Sequence, residues 1–181
     1  MKYLWLIGLI SFGFYGALQA QLYEVKEATV NFRSDAPLEL IEAKSDALRG
    51  LIDGEKRTFA FSLPVTAFEG FNSPLQRVHF NENYMESKQY PNATFAGKII
   101  ERIDFTKTGR YVIRAKGQLK VHGIERERII RSELEMKNGS LHVSSIFTIL
   151  LAEHDISIPK IVHQKIAEEI EVRIQATFVP K

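Results

Sequence analysis

The chain contains five histidines and no cysteine, so histidine is the one side-chain class suited to ordinary acid–base or metal chemistry at neutral pH. The five are His79, His122, His142, His154 and His163. None stands in a His-Glu-x-x-His arrangement, and no pair lies four residues apart on a helical pattern. His154-Asp155 with His163 nine residues on would need a third ligand from elsewhere to hold a metal, and solvated loop histidines are the simpler reading. His122 precedes Gly123 at a strand end, where a turn accounts for it. A hydrolase or isomerase would have to draw on the region of His79 and His154, since there is no Gly-x-Ser-x-Gly elbow and no glycine-rich phosphate loop. The missing cysteines exclude disulfides, thiol nucleophiles, iron–sulfur clusters and cysteine zinc sites. No catalytic residue, metal or cofactor is expected.

The elements that must position these side chains are strands. Tyr111, Ile113, Ala115, Gly117, Leu119 and Val121 alternate with polar or charged residues, apart from Val112. Ile170, Val172, Ile174, Ala176 and Phe178 repeat the pattern, as do Phe59, Phe61 and Leu63. Further strands are expected over Ala28–Ser34, Pro37–Ser45, Ala47–Asp53, Thr94–Glu101, Glu125–Lys137 and Ser140–Leu151. Asn138-Gly139 is the strongest hairpin signal, because both residues tolerate the positive φ of a two-residue turn, and Asp53-Gly54 is a second of the same kind. His122-Gly123 is a weaker break. Ser73-Pro74 reads as a helix cap followed by proline in the first turn, predicting a short helix from Pro74 to about Tyr84 that carries His79. A second irregular or helical stretch is expected over Glu153–Gln164.

Such a sequence of elements is an all-β, antiparallel architecture in one domain, Gln21–Lys181. Residues 1–20 read as a secretory signal peptide: a basic start at Lys2, an apolar run from Tyr3 to Leu18, and small or polar residues around Ala20. That run falls short of the roughly 20 residues a spanning helix needs, so no membrane span is expected after cleavage. With 24 basic against 22 acidic side chains there is no concentrated basic face, which argues against nucleic acid as partner.

Long one-sided strands must either close on themselves or stack as two sheets, and about eight of them closed into a barrel leave an interior either filled by side chains or able to hold one small ligand. Ala115 and Gly117 occupy the middle of one inward face and Gly97 lies between Phe95 and Ile99, which predicts space. Phe59 and Phe61 could instead fill it, so the pattern leaves a hollow and a solid barrel open.

Two segments carry a family resemblance. Tyr90-Pro91-Asn92-Ala93-Thr94-Phe95, preceded by Phe80–Ser87, and Gly117-Gln118-Leu119-Lys120-Val121-His122-Gly123 resemble the YceI-like secreted bacterial proteins over roughly Val30 to Phe178. The chain departs from the commoner pattern near its start, where Phe32–Glu39 stand. The resemblance implies an extended, eight-stranded lipocalin-like β-barrel with a short helix at its mouth, a pocket for an isoprenoid or other lipid, and a periplasmic location. The residues expected to face that pocket are Phe32, Phe59, Phe61, Phe95, Gly97, Tyr111, Ile113, Ala115, Gly117, Leu119, Ile174 and Phe178, with His79 at the mouth. The function expected is non-catalytic binding of an isoprenoid-like or fatty-acyl chain. The alternatives are a stress-response interaction domain with a filled core and a histidine-dependent hydrolase. A homodimer through an exposed edge strand is the protein partnership left open.

Overall fold

The computed structural model describes residues 21–181, and the signal-peptide expectation for residues 1–20 lies outside it. Nine strands follow in order: β1 (Leu22–Asp35), β2 (Leu40–Ser45), β3 (Arg49–Asp53), β4 (Thr58–Pro64), β5 (Asn92–Ile99), β6 (Gly109–Val121), β7 (Ile124–Lys137), β8 (Ser140–Leu150) and β9 (Glu169–Pro180). Neighbours pair antiparallel, and β1 also pairs with β9, so the sheet closes. Along its other edge β1 pairs with both β2 and β3, Val30 opposite Ser45 and Leu22 opposite Asp53 in one continuous register. β2 and β3 therefore act as a single interrupted strand, and the nine segments make an eight-stranded barrel.

β1 begins six residues before the alternation that predicts it, and the reason is local. A bulge between Val25 and Glu27 shifts its register against β9, so Tyr23 is buried on one side of the bulge and Val30 on the other, with opposite parity. A period-two pattern cannot be followed through such an insertion.

Asn138 (φ 53°) and Gly139 (φ 75°) form the expected two-residue turn, with Lys137 opposite Ser140. His122 (φ 49°) and Gly123 (φ 75°) form an equally tight one between Val121 and Ile124. Asp53-Gly54 corrects the expectation of a tight turn. Asp53 lies opposite Thr58, its carboxylate accepts from the Lys56 amide at 2.9 Å, and the left-handed residue is Arg57 (φ 58°) rather than Gly54. The aspartate caps a wider loop.

The helix α1 (Pro74–His79) carries the Ser73 cap, whose hydroxyl accepts from the Gln76 amide, and continues as a wider π-type turn over Phe80–Tyr84. Between β8 and β9 the chain makes short 3-10 turns at Leu151–His154 and Lys160–Val162. Antiparallel order places α1, the β1–β2 loop, the His122 turn and the β8–β9 connection at one end of the barrel, here the upper end. At the lower end Tyr23, Ile52, Phe105, Leu134, Met136 and Leu141 pack into a filled core.

β7 and β8 pair only from the hairpin as far as Ser132 and Ser145, and above that rung they part. Arg128 bridges the gap, donating to the Thr148 carbonyl at 2.7 Å and to Glu153 at 3.1 Å, while Arg126 donates to the Glu153 carbonyl at 2.9 Å. Both arginines occupy the parity of β7 that Ile130, Leu134 and Met136 bury below them. The apolar alternation fails there because side chains, not a backbone ladder, join the strands.

Candidate ligand-binding cavity

The barrel is filled below and hollow above. A cavity of about 560 Å³ runs upward from the core to α1. Its size falls within the roughly 300–1,000 Å³ of small-molecule sites. At about 30 Å³ for each water-sized group, it holds on the order of twenty methylene-sized groups.

Aromatic side chains floor it below and partly roof it above. Below, Phe59 packs on Phe61 and Phe95 with ring centroids 5.4 and 4.9 Å apart, and Phe61 meets Phe178 at 5.7 Å. Above, Phe32 stacks on Phe80 at 5.3 Å and meets Phe68 edge-on at 5.1 Å, while Phe71 lies 5.0 Å from Phe80. Each such contact adds about 0.5–1.5 kcal/mol beyond simple burial. Phe61, Phe95 and Ile174 point inward yet are only half-buried, because they face the hollow.

Phe32, Phe59, Phe61, Phe95, Ile113, Ala115, Leu119, Ile174 and Phe178 all lie on the cavity wall, and His79 lines its upper rim from α1. Gly97, Gly117 and Tyr111 do not. Gly97 and Gly117 face each other across β5 and β6, where a Cβ on Gly117 would stand 2.3 Å from the Ala96 carbonyl oxygen. The two glycines serve close backbone contact and open no space, which corrects the sequence reading. Tyr111 lies opposite Leu134 toward the lower end and packs against the core there, off the cavity wall.

Sequence reasoning missed the roof. Phe68 and Phe71 lie in irregular chain between β4 and α1, where no period marks a buried face. Phe147 and Ile149 of β8 were legible in principle, as they continue the parity of Leu141, Val143 and Ser145 onto the wall.

Polar groups are few and largely satisfied. Ser132 and Ser145 meet at 3.0 Å, and Ser34 Oγ accepts from the Ala167 amide at 2.9 Å. Tyr84 is held above the usual phenol range by burial, so it stays neutral. Glu39, Gln76, His79 and Lys165 mark the rim, with Gln76 donating to Glu39 at 2.9 Å.

The histidines fall into distinct environments. His122 Nε2 lies 2.8 Å from Glu86, its Nδ1 lies 2.9 Å from the His154 carbonyl, and Tyr90 packs edge-on at 4.7 Å. A Cβ on Gly123 would strike the Tyr90 ring at 2.4 Å, so the Tyr90-Pro91 and His122-Gly123 segments are fitted to one another. His154 is fully buried with Nδ1 3.2 Å from the Ile124 carbonyl, which corrects the expectation of a solvated loop histidine. His163 is exposed, with Nδ1 2.6 Å from the Lys160 carbonyl. Among the described residues no group of three or more His, Asp or Glu side chains is placed to hold a metal ion.

Burial holds the His154 imidazole below its ordinary pKa of 6.5, despite its backbone acceptor. The unfolded chain then binds the proton more readily than the folded one, so stability is complete above pH 6.5 and falls as pH drops below it. Urea unfolding should show this loss at up to about 1.4 kcal/mol per pH unit. His154→Gln should flatten that part of the pH profile, and an unchanged profile would refute the assignment.

Comparison with known proteins settles the family. The model of the YceI-like domain matches residues 23–178. The chain belongs to the YceI-like domain family. A polyisoprenoid binding domain from Saccharophagus degradans, implicated in plant cell wall breakdown, superposes with a TM-score of 0.75 at 13% identity, covering 88% of this chain and 98% of that one. BcnA of Burkholderia cenocepacia gives 0.68 at 13% identity over 83% and 95%. The Campylobacter jejuni YceI protein gives 0.54 at 13% identity over 70% and 75%. A search of curated proteins found no match. At such identities the YceI-like structures establish the shared barrel. Among the described residues no helix is long and apolar enough to cross a membrane.

Proposed function

We propose that this YceI-like protein is a non-catalytic binding protein that holds an isoprenoid-like or fatty-acyl chain in the upper half of its barrel, outside the cytoplasm. The observation that carries the reading is the aromatic-floored, aromatic-roofed cavity of about 560 Å³. At about 0.8 kcal/mol per methylene, ten buried carbons gain on the order of 8 kcal/mol. Association and ordering costs then favour longer chains that use the whole volume. The description of the Saccharophagus domain as polyisoprenoid binding supports an isoprenoid. The signal-peptide layout of residues 1–20 supports a periplasmic or secreted location.

A histidine-dependent hydrolase has little support, because His79 lines the cavity without a second histidine and His154 is bonded elsewhere. The hollow upper half likewise weighs against a filled-core interaction domain. Native mass spectrometry of the protein purified from its own host should show a single lipid adduct. Protein that arrives empty, and that also takes up neither a fluorescent fatty acid nor a polyprenol, would overturn the proposal.

A further inference from the structure

The upper rim exposes apolar side chains on three separate segments. Ile161 of the Lys160–Val162 turn is 92% exposed, Leu38 of the β1–β2 loop 66% and Leu75 of α1 62%, with Val78 and Leu40 also exposed. Hydrogen bonds hold these segments side by side. The Leu38 amide donates to the Gln164 carbonyl at 2.9 Å, and the Asn72 side chain just before α1 donates to the Leu40 carbonyl at 2.9 Å. Immediate neighbours of the exposed residues, Glu39, Gln76 and Val162, line the cavity. The apolar rim therefore borders the opening of the hollow, and the cost of holding that apolar area against water would be removed by a surface that covers it.

The same rim carries Arg77, Lys160, His163 and Lys165, all exposed. Neither Lys160 nor Lys165 makes an ion pair among the described residues. Glu39 accepts from Gln76 and faces the opening. The rim also carries Asp35, paired with Arg33, Glu82, paired with Lys88, and the exposed Glu168 and Glu169, so its unpaired positive charge is concentrated at Lys160 and Lys165 beside Ile161. Protruding apolar tips with free lysines beside the most exposed of them match a bilayer interface with anionic head groups, the tips entering the acyl boundary and the lysines meeting phosphate.

We propose that this rim is a docking surface for an anionic lipid bilayer, from which the barrel loads or to which it returns its chain. The inference rests on the lipid-binding reading, and the experiment separates the two. Vesicles of phosphatidylglycerol and phosphatidylcholine in equal parts are floated with the native protein and with a Leu38→Glu/Ile161→Glu double variant. Both side chains are exposed and lie off the cavity wall, so the variant folds and takes up a fluorescent fatty acid from cyclodextrin as the native protein does. The native protein should float with the vesicles, and the variant should lose about tenfold or more in partitioning. Equal flotation of the two, or no flotation of the native protein, overturns the docking surface. So does a native dimer in sedimentation without vesicles that the double variant dissolves, since the rim would then be covered by a second copy. Normal flotation without fatty-acid uptake by either protein overturns the lipid cavity and leaves the docking surface standing.

Discussion

An Ile174→Trp variant is expected to lose fluorescent-lipid uptake by about tenfold or more while unfolding in urea within about 2 kcal/mol of the native protein. Ile174 sits midway along β9, opposite Val30 on one side and Ser145 on the other, and packs against both the lower and upper apolar clusters. Its side chain is half-buried because one face borders the hollow. An indole there extends into empty volume instead of into close-packed neighbours, so the usual strain of overpacking is small, whereas the ligand meets it directly. Ile174→Ala is the informative contrast: it enlarges the cavity, costs stability and leaves uptake in place. Uptake by the tryptophan variant at the native level would place the lipid somewhere else.

Gly117→Leu is expected to do the reverse, destabilising the fold by more than about 3 kcal/mol before any ligand is offered. The sequence reading places Gly117 on the pocket wall, as a small residue that leaves space. The backbone contradicts that. A Cβ on Gly117 would lie 2.3 Å from the Ala96 oxygen and 3.0 Å from the Gly97 Cα, and a Cβ on Gly97 would lie 2.1 Å from the Lys116 oxygen. These are main-chain atoms of a paired strand, and they yield only if the β5–β6 ladder breaks. Thermal unfolding by circular dichroism is the measurement, and a native-like melting curve for Gly117→Leu would refute the close contact.

The two residues show how far a sequence alone can be taken. Ile174 and Gly117 both sit at inward parity in clear period-two runs, and parity is a local property of a pleated strand. The strands of β2 to β9, the short capped helix, the Asn138-Gly139 turn and nine of the cavity-wall residues were legible from local pattern. Where a bulge changes parity, as between Val25 and Glu27, the reading stops. Where arginines replace a backbone ladder, as at Arg126 and Arg128, the polar side chains look like an error in the pattern. They are the bridge across the gap. His154 and His122 carry no periodic signal at all, and their roles come from carbonyls and carboxylates brought in from distant chain.

The sequence by itself therefore determined the all-β class, the inward and outward faces of most strands and the apolar character of the interior, since these follow from the alternation of neighbouring residues. Only the tertiary structure decided that the barrel is filled below and hollow above, that Phe68, Phe71 and Phe80 roof the hollow, and that Gly97 and Gly117 leave no room. Whether a small inward side chain leaves space or admits another backbone depends on how closely two strands approach, and that distance is set by chain remote in sequence.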